Sequence, residues 1–197
     1  MIVGVAGKYC AGKNAVSGML EEAGYRVIEV DRLGHAALAE RKDAVVERFG
    51  REILEPSDAP RPGEINRRAL GAKVFGDDRA REDLERIVHP VMVEWVRDFI
   101  RELDGAPGVV NAAILFPMGL DALCDRVLWV TAPLLTRLRR ARRRDGLTLR
   151  QVVTRFRAQQ GLGPQQSSRP VEIHTVDNRG SYQALRGQLI SLGLISD

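Results

Sequence analysis

The segment Gly7–Asn14, GKYCAGKN, constrains this chain more than any other. It follows the apolar run 2–6 and precedes residues with helical apolar spacing, so its context predicts a strand, a glycine-containing turn and a helix. The spacing G-x-x-x-x-G-K is that of a P-loop, in which glycines let successive backbone N–H groups surround phosphate oxygens. The following helix adds the positive end of its dipole. The sequence therefore predicts nucleotide binding at this turn.

The loop residues are the predicted contacts to ATP: Gly7, Lys8, Tyr9, Cys10, Ala11, Gly12, Lys13, Asn14 and Ala15. Lys13 supplies a point charge for the β- and γ-phosphates. Asn14 stands where Ser or Thr normally offers a hydroxyl to Mg²⁺. Its amide oxygen is also a hard ligand, so Asn14 is the candidate metal ligand. A loop that binds nucleotide without turning it over is the alternative that this residue leaves open.

Asp31 is the candidate partner of the loop. It follows a predicted second strand at 25–30 and stands at the carboxyl end of that strand. Ligands of open parallel sheets bind outside the carboxyl ends of the strands, so we expect Asp31 and the P-loop to face one crevice. A carboxylate there can orient or deprotonate an attacking hydroxyl. Capping of the next helix is the second interpretation of this residue.

Positive charge is concentrated in one segment. Residues 137–157 hold nine arginines against one aspartate, whereas the whole chain carries a formal net charge of only +4. Arg137, Arg140 and Arg144 share a helix face by their i, i+3, i+7 spacing, and guanidinium groups suit phosphate oxygens. This pattern predicts a local anion site, with a solvated basic face as the alternative. A nucleic-acid-binding module is a further class, but an aromatic content of 5% offers few stacking platforms.

The remaining periodicity predicts an α/β protein. Further buried strands are expected at 109–116, 127–131 and 173–178, while 32–103 carries helical patterns. Within that helical region, the dipeptide His89-Pro90 is expected to begin a long helix, because proline suits the first helical turn. On the residues alone, His89 is a helix cap, with a ligand contact as the alternative, and His35 is a bystander.

Cysteine content and hydropathy bear on the compartment. Two cysteines argue against a disulfide framework, and no apolar run approaches the roughly 20 residues that span a bilayer. The chain also begins directly in a predicted strand, with no charged leader segment before it. We therefore expect a soluble cytoplasmic protein.

The order and spacing of the motifs together resemble dephospho-CoA kinase, a P-loop kinase of the nucleoside-monophosphate-kinase type. The resemblance covers nearly the whole chain. The matching segments are 7–14, 27–31 with His35, 45–54, 66–70, 87–90, 126–130, 144–147 and 176–178. The sequence departs from the family pattern at Asn14, Glu29, Asn111, Ala113 and Pro117.

The resemblance implies a three-layer P-loop kinase with a parallel central sheet, a helical substrate-binding insertion and an arginine-rich helical lid. The nucleotide-binding core would comprise 1–31, 104–136 and 171–197. The CoA-binding insertion would be 32–103, and the lid would be 137–170.

The resemblance also implies a reaction, the ATP-dependent phosphorylation of the ribose 3′-hydroxyl of dephospho-CoA, which is the last step of coenzyme A biosynthesis. ATP and Mg²⁺ would be required, and the partners would be small molecules, with no nucleic acid and no membrane. The residues that match functional positions are Lys13, Asp31, Arg140 and Arg144 for catalysis, Asn178 near the adenine, and His35 and His89 at the acceptor. Another small-molecule or nucleoside-monophosphate kinase and a non-catalytic regulator are the alternatives.

Overall fold

A computed structural model describes residues 1–145, 149–159, 161–167 and 169–196. In these ranges five strands form one parallel sheet with the order β2-β3-β1-β4-β5. The strands are β1 Ile2–Gly7, β2 Arg26–Glu29, β3 Gly108–Asn111, β4 Arg126–Thr131 and β5 Glu172–Asp177. Because β1 is the central strand, the P-loop leaves the sheet at its middle. The predicted α/β fold with a parallel central sheet is confirmed.

The helices follow the apolar spacing of the sequence. In the first of them, Val16, Met19 and Leu20 lie on one buried face, as i, i+3 and i+4 positions do. The helices are α1 Lys13–Glu22, α2 Val30–Glu40, α3 Lys42–Phe49, α4 Arg67–Val74, α5 Asp78–Glu102, α6 Leu134–Asp145, α7 Leu149–Ala158 and α8 Tyr182–Ser191. Of the helices described, none has the length and apolar character that a membrane crossing requires.

Residues 1–31 and 96–197 form one compact unit, and residues 32–95 form a second. The core of the first unit packs α1 and α8 on the sheet through buried aliphatic side chains. The chain beyond α8 closes this core, because the hydroxyl of Tyr25 donates a hydrogen bond to the carbonyl oxygen of Leu194 at 3.1 Å.

The second unit has an apolar core of its own. Val45, Phe49, Ile53 and Leu70 are its largest buried members. The side chain of Asn66 caps α4 and accepts hydrogen bonds from the backbone N–H groups of residues 68 and 69 at 3.0 and 2.9 Å. Such a cap satisfies donors that the first helical turn leaves without a partner.

The third predicted strand is too long. β3 ends at Asn111, and the chain then turns, with the N–H of Met118 donating to the carbonyl of Ile114 at 3.1 Å. Leu115 and Phe116 are still buried, at 0% and 5% exposure. A continuous apolar run therefore predicted burial correctly but not backbone form, because an apolar side chain is buried equally well from a turn.

The helix expected to begin at His89-Pro90 was wrongly placed. α5 runs without interruption from Asp78 to Glu102 and contains Pro90 in its interior, so His89 is not a helix cap. An internal proline removes one backbone hydrogen bond. The buried residues Val88, Met92 and Val96, which lie on both sides of the proline, continue the apolar face and offset that loss.

Candidate active site

The two P-loop glycines are required by close approaches. A Cβ at Gly7 would lie 2.5 Å from the carbonyl oxygen of Val130, on the neighbouring strand β4. At Gly12 the φ angle is +103°, and a Cβ would lie 2.0 Å from Nδ2 of Asn178. Side chains cannot occupy these positions without displacing the loop. The sequence motif is thus imposed by β4 and Asn178 as well as by any phosphate.

Cys10 lies between the glycines and also adopts a left-handed conformation, with φ +60°. Its side chain is 9% exposed and packs against Ala141 of α6 and Val152 of α7. Both cysteines of the chain are free thiols. The arginine-rich helices therefore reach the P-loop through an apolar contact as well as through charge.

Arg140, Asn178 and the carbonyl oxygen of Ala11 form a closed set of hydrogen bonds. Arg140 donates to that carbonyl from Nη1 at 3.0 Å and to the Asn178 carbonyl from Nη2 at 3.0 Å. The Asn178 amide donates to the Ala11 carbonyl at 2.9 Å and accepts from Arg140 at 3.2 Å. Asn178 is 7% exposed, so this network fixes the loop from a buried position. We call it the loop bracket.

Cationic side chains surround a cavity of about 500 Å³ at the P-loop. Its lining residues are Cys10, Gly12, Lys13, Asn14, Arg140 and Arg143. Such a combination of backbone, amide and positive charge suits phosphate groups. Arg144, which the spacing favoured, has a side chain outside the described part of the structure. Arg143 was missed, although it lies one helical turn after Arg140 and the i, i+3 rule applies to it equally.

Asp31 lies in the first turn of α2 rather than in β2, because β2 ends at Glu29. Its Oδ1 accepts a hydrogen bond from the backbone N–H of Ala113 at 3.0 Å. The preceding N–H, of Ala112, donates to the carbonyl of Val5 in the central strand at 3.1 Å. The carboxylate therefore lies at the carboxyl end of the sheet, from which the P-loop also emerges.

Asn14 and Asn111 form an amide pair at this end of the sheet. Nδ2 of Asn111 donates to Oδ1 of Asn14 at 3.2 Å and to the hydroxyl of Ser17 at 3.1 Å. Asn111 is 3% exposed, and within the described residues its Oδ1 has no hydrogen-bond partner. A buried carbonyl without a partner is costly, so this oxygen is suited to a ligand that supplies a donor or a positive charge.

The second unit carries the two predicted histidines and a cleft of about 760 Å³. His35 lines this cleft, and its Nε2 lies 2.6 Å from Nη1 of Arg67, which also lines it. Lys42 and Arg61 also line the wall, together with the carboxylates of Glu55 and Glu64, and Arg61 is paired with Glu64 at 3.6 Å. His89 is half-buried in α5, and burial lowers the pKa of its imidazole, opposed in part by the nearby charge of Glu85.

The first unit combines a parallel sheet, a glycine loop at the central strand and a cavity that presents Lys13 with arginines from a separate helix. These features define the class of P-loop kinases.

Comparison with known proteins gives the family. Residues 1–182 match the family model for dephospho-CoA kinase. A dephospho-CoA kinase of Moorella thermoacetica is 35% identical over 80% of this chain and 76% of its own length. A dephospho-CoA kinase of Parasynechococcus marenigrum is 32% identical over 99% of this chain and 96% of its own length. The chain belongs to the dephospho-CoA kinase family.

Solved structures agree with this fold. The protein TT1252 of Thermus thermophilus has a TM-score of 0.79 and 27% identity, covering 100% of this chain and 98% of that one. The dephospho-CoA kinase of Campylobacter jejuni has a TM-score of 0.66 at 22% identity, covering 97% of this chain and 94% of that one. At that identity the second comparison bears on the fold alone.

Proposed function

We propose that this chain transfers the γ-phosphoryl group of ATP to the ribose 3′-hydroxyl of dephospho-CoA, forming CoA and ADP. The family membership supports the choice of acceptor. The observation that carries the chemistry is the hydrogen bond from the Ala113 N–H to Asp31, because it holds a carboxylate at the carboxyl end of the sheet, where the P-loop begins.

The nucleotide side of the reaction is assigned to the P-loop cavity. The backbone N–H groups of the loop and the ammonium of Lys13 bind the phosphates, while Arg140 and Arg143 bring positive charge from α6. Fixed charges of this kind stabilise the charge that develops on the transferring group more than they stabilise bound ATP. Arg144 is assigned the same role on its match to the family pattern.

Asp31 is the proposed orienting group or base for the acceptor. Its carboxylate accepts the proton of the attacking hydroxyl or directs its lone pair at the γ-phosphorus. The bond to the Ala113 N–H occupies Oδ1 and leaves Oδ2 for the substrate. Positioning of this kind provides most of the rate acceleration in phosphoryl transfer, because the reaction requires little covalent chemistry from the protein.

Mg²⁺ is the proposed metal, and the residues present fit it. Asn14 and Asn111 would hold it, since both offer amide oxygens and the oxygen of Asn111 is buried without a partner among the described residues. These ligands carry no charge, so the phosphates of ATP would provide the negative charge of the site. The metal neutralises charge on the β- and γ-phosphates when bound.

The acceptor side is assigned to the helical insertion 32–103, and the lid to 137–170. The compact unit 32–95 supports the first assignment, because the basic side chains that line its cleft, His35, Lys42, Arg61 and Arg67, outnumber the acidic ones, Glu55 and Glu64. The diphosphate of dephospho-CoA is an anion that such a cleft can bind. His89 is assigned to the acceptor pocket on its match to the family motif.

The test is ADP release from ATP, Mg²⁺ and dephospho-CoA by the purified protein, with Asp31→Asn as the variant. We expect turnover with the native chain and a loss of about 100-fold or more in kcat with Asp31→Asn, while the ATP KM changes little. The asparagine keeps a carbonyl for the Ala113 N–H but cannot accept a proton.

Two results would contradict the proposal in different ways. ADP release with a nucleoside monophosphate and none with dephospho-CoA would assign another acceptor. Full activity of Asp31→Asn would remove Asp31 from the chemistry while leaving the acceptor assignment intact.

A further inference from the structure

Tyr9, within the P-loop, contacts both of the arginine-rich helices α6 and α7. Nε of Arg137, on α6, donates to the Tyr9 carbonyl at 2.9 Å. The backbone N–H of Tyr9 donates a short hydrogen bond to the side-chain oxygen of Gln159, directly after α7. The backbone carbonyl of Tyr9 is thus bonded to α6, and its backbone N–H is bonded to the residue that follows α7.

The side chain of Tyr9 adds a second set of contacts. The guanidinium of Arg155 lies 5.3 Å from the centre of the phenol ring, and its Nη1 donates to the phenolic oxygen at 3.0 Å. The ring of Phe156 meets the Tyr9 ring edge-on at 6.0 Å between centres. Phe156 also lies under the guanidinium of Arg137, at 4.5 Å, so the cationic and aromatic groups form one continuous stack.

The stack has a consequence for the cavity. Arg137 lies one turn before Arg140 on α6, and Arg143 lies one turn after it, so Arg137, Arg140 and Arg143 project toward one side of the helix. The first contacts Tyr9, and the other two line the phosphate cavity. Any movement of α6 away from Tyr9 would carry both cavity arginines with it.

We propose that Tyr9 is a positioning residue that holds the helix pair α6–α7 on the P-loop, and so holds Arg140 and Arg143 over the phosphates. This inference rests on the proposed kinase function for its catalytic consequence but not for its structural one. The P-loop motif allows any residue at this position. In this chain the ring contact with Phe156 and the hydrogen bond to the hydroxyl give a specific reason for a tyrosine.

The first test is hydrogen–deuterium exchange of the native chain and Tyr9→Ala in saturating ATP. We expect exchange of the backbone amides of residues 134–145 and 149–159 to rise about tenfold in Tyr9→Ala, with the sheet unchanged. Tyr182→Ala is the matched control, because Tyr182 is an exposed tyrosine of α8 whose hydroxyl bonds Glu22 and not the P-loop. That variant should leave the helix pair as it is.

The second test is kinetic. Tyr9→Ala should raise the ATP KM roughly tenfold and lower kcat, with the KM of dephospho-CoA nearly constant. Tyr9→Phe should remain within about threefold of the native values, because it retains the ring contacts and both backbone bonds and loses only the bond from Arg155. A purely structural role would not separate the two substrates in this way.

A third variant covers the case in which Tyr9→Ala fails to fold. Arg155→Gln removes the guanidinium contacts of α7 to the phenol, leaves the edge-on contact of Phe156 and does not alter the loop, and it should raise exchange in residues 149–159. Arg142→Gln, which removes an exposed charge of α6, is its control. Unchanged exchange in the helix pair of Tyr9→Ala, or of Arg155→Gln if the former does not fold, would overturn the proposal. Absence of ADP release with dephospho-CoA would count against the proposed function only, since exchange requires no acceptor.

Discussion

The P-loop cavity and the cleft of residues 32–95 are built in different ways. The loop at the first is fixed by buried polar groups next to it, since Asn178 and Asn111 are only 7% and 3% exposed, although Arg143 in the cavity wall is itself exposed. The second is built from long side chains at the surface, among them the exposed Arg61 and Arg67. Buried groups have one arrangement, whereas exposed arginines can be replaced or rearranged at little cost. Under the proposed function, this difference would place fixed groups where the phosphoryl group moves and adjustable ones where the acceptor is held.

The largest expected effect is at Gly12, where the buried arrangement is tightest. Gly12→Ala would place a Cβ 2.0 Å from Nδ2 of Asn178 at a φ of +103°, which breaks the loop bracket. We expect kcat/KM for ATP to fall by about 100-fold or more. Gly18→Ala is the matched control, because no atom lies within 4 Å of the added Cβ in α1. It should retain activity and stabilise the fold by about 0.5–1 kcal/mol. Equal losses in both variants would refute this account.

The second prediction compares two asparagines, one from each unit. Asn178→Ala removes two side-chain hydrogen bonds of the loop bracket and should cost about 1–3 kcal/mol of unfolding free energy, with a roughly tenfold rise in the ATP KM. Asn66→Ala removes the cap of α4 and should cost about 1 kcal/mol with no change in the ATP KM. Urea unfolding and initial rates measure both quantities. A rise in the ATP KM of Asn66→Ala would show that stability alone accounts for the effect.

The third prediction concerns the cleft of the second unit. Arg67→Ala should raise the KM of dephospho-CoA about fivefold and leave the ATP KM unchanged, because Arg67 lines the cleft and contacts His35. Its neighbour Arg68, which is exposed and does not line the cleft, offers the control Arg68→Ala. If the two variants behave alike, the acceptor does not use this part of the cleft.

The smallest expected effect is the pH dependence of stability at His89. Burial lowers the pKa of this imidazole, so the unfolded chain binds the proton more readily than the folded one. The stabilising contribution of neutral His89 is therefore present above its ordinary pKa of about 6.5 and is lost as the pH falls through the lower folded value. His89→Gln should show a flatter loss of unfolding free energy between about pH 7 and pH 5. Parallel curves for the two proteins would exclude the effect.

Much of the site was predictable because its residues follow local rules. The loop 7–14 was found from glycine spacing, and Asp31 from its place after a β-prone run, where it lies in the first turn of α2 just beyond the end of β2. The length of β3 and the path of α5 through Pro90 were not predictable, because the same apolar side chains can be buried from a strand, a turn or a helix. Arg143 obeyed the spacing rule and was overlooked beside Arg140 and Arg144.

What the sequence determined by itself is the chemistry available: a glycine loop with Lys13, an acid after the second strand and a basic helix, all of which depend on short-range backbone constraints. What only the tertiary structure decided is which of these groups meet. The bracket of Arg140 and Asn178, the amide pair of Asn14 and Asn111, and the stack on Tyr9 join residues far apart in the chain. Such pairings depend on how the helices and strands pack. The periodicity of a single sequence carries no information about contacts between residues that lie far apart in the chain.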